Sequence, residues 1–179
     1  MNFLVDNWKI LIGIIISLFT IFLISLRTKI KNKKNKIDKD DLVCPIRGVL
    51  RVKKYDNEGN YSEEYQRIRL IKHFLKKGYT KNRFIIEYTI PIGHKGRNAL
   101  RVDLAFKSKN RFFFVAEVKK GYTKENMESA IKHQLIPAMQ ILNSKYGIYF
   151  DGTKKSRLFT RNGNGSLSVK KFPLVIPKN

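Results

Sequence analysis

Three charged residues, two carboxylates and a lysine, lie inside two largely apolar segments of this 179-residue chain. Asp103 is in the first segment, ALRVDLAF, and Glu117 and Lys119 are in the second, FFFVAEVK. Two carboxylates at a cross-strand distance can bind Mg²⁺, and the metal then polarises a phosphoryl oxygen and acidifies a bound water. Lys119 would position that water or offset charge on the phosphate. A cross-strand salt bridge of Lys119 with Glu117 or Asp103, helped by Arg101, is the alternative explanation.

The length of the turn between the two segments decides whether these charges meet. In a regular antiparallel pair, an odd number of loop residues places the charges on the same side of the sheet. A three-residue turn at 109–111 would set Asp103 directly opposite Glu117, with Lys119 two residues further on the same face. Asn110 tolerates the left-handed conformation that such turns often need. A two- or four-residue turn would separate the carboxylates.

Apolar periodicity predicts the elements that carry these charges. A helix is expected over residues 63–77, capped by Ser62 and ended by Gly78. Strands are expected near VLRV and over 83–90, 99–106 and 112–119, and the last of these is central because it is apolar on both faces. A helix over 124–143, kinked by Pro137, carries Gln134 on its apolar side, where an amide must serve a site or a backbone group. A strand over 146–150 and a hairpin around 162–165 follow.

A run of 17 residues without a charge begins at Ile10 and ends at Leu26. As a helix it would reach about 26 Å, which is near the lower limit for crossing a bilayer, and Trp8 could anchor one interface. A cleaved signal peptide and a buried core helix are the alternatives. They fit less well, because no small-residue cleavage motif follows and a uniformly apolar core helix needs a larger protein.

A basic segment, RTKIKNKKNK, follows the apolar run and predicts a cytoplasmic C-terminal side with the N-terminus outside. The expected domains are a transmembrane signal-anchor at 1–27, a basic tether at 28–41 and a nuclease-like domain at 42–179. Residues 1–37 account for +6 of the net charge of +23, so residues 38–179 carry +17. This favours a nucleic-acid partner, although a lysine-rich surface habit would give the same composition.

The order of these segments resembles the PD-(D/E)XK nuclease superfamily, and more narrowly the N-terminal nuclease domain of type I restriction enzyme R subunits. The similarity covers about residues 50–160. That family has a helix that opens with paired glutamates and ends in Gly-Tyr, then three strands, a helix containing a glutamine and a strand ending in Asp-Gly. The corresponding segments here are SEEYQRIRLIKHFLKKGY, FIIEYTI, LRVDLAF, FVAEVK and YGIYFDG.

The resemblance implies a role for individual residues. Asp103 and Glu117 would be metal ligands and Lys119 the catalytic lysine. Glu64 would reach the metal directly or through water, and Gln134 would be the glutamine of a Q-x-x-x-Y element. The implied cofactor is Mg²⁺ or Mn²⁺.

The chain departs from the family pattern at two positions. Ala138 stands where the Q-x-x-x-Y element has tyrosine, and Val102 stands where the superfamily name has proline. A P-loop is also absent from the sequence, so the chain holds at most the nuclease module of a restriction subunit and not its motor.

The expected fold is therefore an α/β, PD-(D/E)XK nuclease-like mixed sheet flanked by helices and preceded by one transmembrane helix. The expected function is membrane-anchored, metal-dependent hydrolysis of DNA on the cytoplasmic side. Lys95, Arg97, Arg101 and Lys120 are candidate nucleic-acid contacts, although the loop with Lys95 and Arg97 could simply be solvated. The alternative function is a catalytically inactive, membrane-tethered module that binds nucleic acid or protein.

Overall fold

The structure of this protein is a computed structural model that describes residues 20–21, 41–92 and 98–172. Residues 41–172, apart from the gap, form a mixed α/β fold with a six-stranded sheet and helices. The elements, in chain order, are β1 (Asp41–Cys44), β2 (Gly48–Lys53), α1 (Glu63–Lys76), β3 (Phe84–Ile92), β4 (Asn98–Ser108), β5 (Arg111–Val118), α2 (Lys124–Ala130), a π-helical turn (Ile131–Leu135), α3 (Ile136–Ile141), β6 (Tyr146–Phe150), β7 (Arg157–Arg161) and β8 (Leu167–Lys171).

Several predictions concern residues that the structure does not describe. Within the predicted transmembrane segment, only Thr20 and Ile21 are described, and both are helical. The predicted tether lies outside the described residues up to Asp41, where β1 begins. Across 20–21, 41–92 and 98–172, no helix has the length and apolar character needed to cross a membrane. The membrane anchor therefore stays a prediction.

The main sheet has the strand order β3-β4-β5-β6-β7-β8. Its neighbours are antiparallel except β5 and β6, which are parallel and therefore need a crossover connection. The segment from α2 through the π-helical turn to α3 supplies this crossover. β5 lies inside the sheet and is buried from Phe113 to Val118, which confirms the prediction that this strand is central.

Two apolar clusters cover the two faces of the sheet. The first joins α1 and β1 to the sheet, and Phe74 of α1 stacks on Phe114 of β5 with ring centroids 4.5 Å apart. The second packs the crossover helices on the opposite face through Leu135, Ala138 and Met139. The sheet is therefore the middle layer of the fold. Helix α1 packs on one face of β4 and β5, and the crossover helices pack on the other face.

Helix α1 begins and ends at the capping residues expected from the sequence. The Ser62 hydroxyl accepts a hydrogen bond from the Tyr65 amide at 3.3 Å. At the other end, Gly78 has a φ of +81°, and the amides of Gly78 and Tyr79 donate to carbonyls of the last turn. These two bonds form a Schellman motif, which needs the left-handed conformation that glycine adopts without strain. The caps fix the position of the helix start, where Glu63 and Glu64 lie.

Candidate functional site

Asp103 is held rigidly near the end of the paired part of β4. Its side chain is almost fully buried. Oδ2 accepts a hydrogen bond from the backbone amide of Val118 at 2.8 Å, and Oδ1 accepts one from the guanidinium of Arg67 at 3.1 Å. The Asp103 carboxylate is thus fixed between strand β5 and helix α1.

The turn between β4 and β5 differs from its prediction, and a bulge compensates for the difference. The turn has two residues, Lys109 and Asn110, and the positive φ of +54° belongs to Lys109 rather than to Asn110. Two turn residues alone would place the carboxylates on opposite faces. However, Phe106 pairs with Phe114 while Lys107 pairs with Phe112, so Phe113 is an additional residue.

The bulge restores the register that the site needs. Beyond it, Leu104 pairs with Ala116, and one further residue brings Asp103 level with Glu117. The prediction of an odd turn was therefore wrong, because loop length is only one of two features that set register. The expected alignment of the two carboxylates is nevertheless present.

Glu117 and Lys119 form an ion pair beside Asp103. Lys119 Nζ lies 2.6 Å from Glu117 Oε1. The other carboxylate oxygen, Oε2, is buried, and no described residue donates a hydrogen bond to it. Desolvation raises the pKa of Glu117 to about 7, and the negative charge of Asp103 adds to the rise.

Lys119 remains a cation in this environment. Burial by itself would lower its pKa, but the hydrogen bond to Glu117 and the charges of Glu117, Glu63 and Asp103 raise the pKa above its usual value. The amine therefore supplies positive charge to the site and is not poised to act as a base at neutral pH.

The two glutamates that open α1 share Arg67 but differ in their other contacts. Glu64, the residue implied by the resemblance, forms ion pairs with Arg47 and Arg67. Glu63 lies 3.4 Å from Arg67. It also contributes to the electrostatic field at Glu117 and Lys119, and it shares a cavity with Lys119. Desolvation raises the pKa of Glu63, and repulsion from Asp103 adds to this. Sequence reasoning missed Glu63, although the Glu-Glu pair at the helix start was the signal.

Arg67 is the central cation of the carboxylate cluster. It is buried and lies one helical turn after the paired glutamates, and it was not among the predicted site residues. Its guanidinium contacts carboxylates on α1, β3 and β4, namely Glu63, Glu64, Glu87 and Asp103. A buried cation that joins three elements in this way fixes their mutual positions, because each buried carboxylate would be costly without it.

Glu87 on β3 has an unusual backbone conformation. Its φ is +57°, in the left-handed region that is rare for a residue with a Cβ. The β3–β4 register runs from Ile86 with Leu104 to Tyr88 with Val102, so Glu87 is the residue level with Asp103. Such a conformation persists only where the surrounding structure imposes it, and such residues cluster at functional sites.

Gln134 lies on the π-helical turn that interrupts the crossover helix. The helix predicted over 124–143 is present from Lys124 to Ile141, but its irregularity is the π-helical turn at Ile131–Leu135, which precedes Pro137, rather than only a kink at the proline. Such turns are rare and are frequently found at functional sites. The side-chain oxygen of Gln134 is buried, and nothing in the described chain donates to it.

A cavity of about 640 Å³ joins the parts of the candidate site. Glu63, Lys119 and Gln134 all line it, together with Asn60 from the turn before α1. Lys119 connects this cavity to the buried carboxylates, because its ammonium contacts Glu117 Oε1 and Glu117 is level with Asp103. Glu64 lies next to this region but is committed to two arginines.

Two of the four candidate nucleic-acid contacts, Lys120 and Arg101, lie in the part of the chain that the structure describes. Lys120 is exposed and pairs with Asp56 at 3.0 Å. Arg101 is exposed on β4, where it pairs with Thr89 of β3. Lys95 and Arg97 lie outside the described residues.

A larger cavity, of about 1150 Å³, lies at the other end of β5. Lys109, Arg111, Lys145 and Arg161 line it, together with polar residues of the two hairpin tips. Cations without carboxylates can attract an anion but cannot hold a metal ion. The smaller cavity, which adjoins the buried carboxylates, is therefore the candidate site.

The described carboxylates suit a magnesium ion only with water as a co-ligand. Residues 20–21, 41–92 and 98–172 contain no group of three or more His, Cys, Asp or Glu side chains arranged to hold a metal ion. Two orphaned buried acceptors, Glu117 Oε2 and Gln134 Oε1, nevertheless fit an absent cation or its bound water. Mg²⁺ commonly uses one or two carboxylates and keeps several waters. Asp103 and Glu117 fit that mode of binding.

Comparison of the chain with protein-family models, with curated proteins and with solved structures found no match.

Proposed function

We propose that this protein is a membrane-anchored, metal-dependent nuclease that hydrolyses phosphodiester bonds in DNA. One observation carries the proposal: Glu117 is in register with Asp103 and pairs through Oε1 with the ammonium of Lys119, while its buried Oε2 receives no hydrogen bond from a described residue. A buried carboxylate oxygen without a donor is costly, and it is retained where a cation or water completes it.

The proposed fold is that of the PD-(D/E)XK nucleases. The order helix, three antiparallel strands, crossover helices and parallel strand in residues 63–150 supports this, because it is the order that the resemblance implies. The buried position of Asp103 and Glu117 at the end of the strand pairing also supports it. The basic segment after the apolar run supports a cytoplasmic location for the domain, with the N-terminus outside.

In this proposal, the residues of the site divide the work. Asp103 and Glu117 hold Mg²⁺ or Mn²⁺, which when bound would polarise a phosphoryl oxygen and lower the pKa of a bound water. Lys119 orients the attacking water and offsets the charge that develops on the phosphate. Gln134, whose side-chain oxygen receives no hydrogen bond from a described residue, accepts a hydrogen bond from that water or from the substrate.

Cleavage by single-residue variants tests the proposal. The full-length protein in neutral detergent, incubated with plasmid DNA and Mg²⁺, should nick or cut the DNA, and Asp103→Ala or Lys119→Ala should abolish the activity. Glu128→Gln is the matched control, because Glu128 is an exposed α2 carboxylate whose partner, Lys124, lies 3.9 Å away. Absence of cleavage of any nucleic acid by the wild type would refute the proposal.

A second candidate function is a catalytically silent module that binds nucleic acid. The observation that favours it is the pairing of the carboxylates with arginines, since Arg67 and Arg47 balance the charges of Asp103 and Glu64 without a metal. Metal titration separates the two candidates. A nuclease should bind Mn²⁺ more tightly than its Glu117→Ala variant does, whereas equal affinity of the two proteins would favour the silent module.

A further inference from the structure

Three tyrosines stack on one another beside the start of helix α1. The ring centroids of Tyr55 and Tyr61 are 5.1 Å apart, and those of Tyr61 and Tyr65 are 4.6 Å apart, with interplanar angles of 25° and 20°. Tyr65 belongs to α1 and packs against the first apolar cluster. Tyr55 and Tyr61 are 43% and 39% exposed. The Tyr65 end of the stack therefore contacts the core, whereas the Tyr55 end is open to solvent.

The turn that carries the stack is fixed by its own hydrogen bonds. Tyr55 and Tyr61 form an isolated antiparallel bridge, so they face each other across the turn. Inside the turn, one Asp56 carboxylate oxygen accepts the backbone amides of Glu58 and Asn60, at 3.0 and 2.9 Å. These bonds hold the rings in place before any ligand binds, which lowers the entropic cost of stacking a further ring on them.

A lysine gives the stack a positive charge. Lys54 Nζ lies 5.0, 5.7 and 5.2 Å from the ring centroids of Tyr55, Tyr61 and Tyr65, respectively. Contacts of this kind are cation–π interactions, and they fix the ammonium beside the exposed edge of the stack. An aromatic face next to a cation matches a nucleotide, which offers a flat base and an anionic phosphate.

The stack is continuous with the candidate site. Asn60, which precedes Tyr61, lines the same cavity as Lys119 and Gln134. On the other side, Lys120 ties the turn to the end of β5 through its 3.0 Å contact with Asp56. A DNA strand whose phosphate lies at Lys119 would therefore bring a neighbouring nucleotide to the tyrosines.

We propose that the Tyr55–Tyr61–Tyr65 stack binds an unpaired base, so that DNA with a single-stranded segment is the preferred substrate of the site. The inference rests on the proposed function, because it names the substrate class of that same site. The faces of bases inside a duplex are already covered by their neighbours, whereas an unpaired base can extend the stack on Tyr55. Lys54 and Lys120 then contact the flanking phosphates.

Binding without cleavage tests this proposal. The full-length protein in neutral detergent, with EDTA present, is titrated against a dye-labelled oligodeoxythymidylate of about 20 nucleotides and against a duplex of the same length. The wild type should bind the single strand more tightly than the duplex. Tyr55→Leu should weaken single-strand binding about tenfold, since one stacked base contributes on that order, and should change duplex binding less than twofold.

Two further variants act as controls. Tyr55→Phe keeps the ring and should bind the single strand like the wild type. Lys54→Met should weaken single-strand binding more than Lys170→Met, which removes an equally positive but exposed lysine on β8, away from the stack. Thermal unfolding should show that Tyr55→Leu and Tyr55→Phe are both folded at the temperature of the titration, so that a difference in binding reports the ring and not unfolding.

Photocrosslinking identifies the site of contact directly. An oligodeoxythymidylate that carries 5-iodo-2′-deoxyuridine should crosslink to Tyr55 or Tyr61. Crosslinks confined to the basic cavity at Lys109 and Arg111, equal affinity for single strand and duplex, or unchanged binding by Tyr55→Leu would each overturn the inference. This test measures binding and needs no cleavage, so its failure can be told apart from failure of the proposed function. A protein that cleaves only duplex DNA and does not prefer the single strand contradicts the single-strand inference alone. A protein that binds the single strand as expected but cleaves no nucleic acid contradicts the proposed function alone.

Discussion

Glu117 is a carboxyl group in surroundings that oppose its ionisation. It is 3% exposed, its neighbour Asp103 is also a carboxylate, and Lys119 compensates for only part of the cost. A group of this kind changes its charge near neutral pH, where Mg²⁺ can compete with the proton for the same oxygen. The burial that makes ionised Glu117 destabilising is thus linked to the metal binding that is proposed for it.

We expect Glu117 to make the metal-free protein less stable as pH rises. Its pKa is about 7 in the folded protein and about 4.5 in the unfolded chain, so the folded state holds the proton more tightly between these values. The stabilising contribution is complete below the unfolded pKa and is lost as pH rises towards 7. Urea unfolding in EDTA should show Glu117→Gln gaining about 2 kcal/mol on the wild type between pH 5 and pH 8. A difference independent of pH would contradict the prediction.

Arg67 is expected to be the most important single cation for folding. Arg67→Met would leave the buried Asp103 without its ion pair, and breaking a buried pair costs about 3–5 kcal/mol in free energy of unfolding. Urea denaturation at neutral pH measures the loss. The matched control is Lys124→Met, whose exposed partner lies 3.9 Å away, and which should cost less than about 0.5 kcal/mol. Similar losses in the two variants would mean that the carboxylates do not depend on Arg67.

The sequence predicted the order of the helices and strands and most of their boundaries. Helix α1 begins at Glu63 as expected, and strand β6 spans Tyr146–Phe150 as expected. Capping residues and apolar periodicity are local signals, so they can be read from a single chain. The hairpin predicted around 162–165 connects β7 to β8.

Features that depend on tertiary contacts could not be predicted. The bulge at Phe113 has no local signal, since three consecutive phenylalanines fit a regular strand equally well. A regular strand would place Ile86 and Ile90 on one face of β3, but they pack in different apolar clusters, because Glu87, with its positive φ, lies between them. Likewise, the sequence shows that Arg67 and Glu63 are charged, but the groups that they contact depend on how α1 crosses the sheet.

Gly152 couples the end of β6 to helix α1. Its φ is +76°, and a Cβ built on it would lie 2.2 Å from the side-chain oxygen of buried Gln66. We expect Gly152→Ala to destabilise the fold by about 2–4 kcal/mol, because backbone strain and a steric clash act together. Gly165→Ala is the control: its φ is +81°, with nothing within 4 Å, so it should cost only about 1 kcal/mol. Equal thermal shifts of the two variants would show that Gln66 moves aside freely.

The whole molecule is dominated by positive charge. The chain has 37 basic and 14 acidic residues, and most of the surplus lies after residue 37. Several carboxylates are engaged with Arg67, Arg47 and Lys119, so they do little to offset the exposed lysines. A protein with this balance should bind DNA without sequence preference and should concentrate it near the site.

This charge predicts a steep dependence of DNA binding on salt. If the protein neutralises about six phosphates, its affinity for a duplex should fall about 10³-fold between 50 and 200 mM salt. Fluorescence anisotropy across that range measures the slope. Lys120→Met and Arg101→Met should each reduce the slope by about one, if both residues contact phosphate. A slope near zero would mean that the surplus charge serves solubility or a membrane surface instead.

The tip of the β4–β5 hairpin, which the bulge at Phe113 adjoins, is a useful place for a probe. Asn110 is exposed there, and Cys44, the single cysteine of the chain, is buried, so Asn110→Cys would provide an accessible thiol for a dye. The eight residues of β5, at about 3.3 Å each, place this tip about 25 Å from Lys119. Energy transfer between dyes changes steeply over such distances. An acceptor on the 5′ or the 3′ end of an oligonucleotide would then report the polarity with which a DNA strand enters the site.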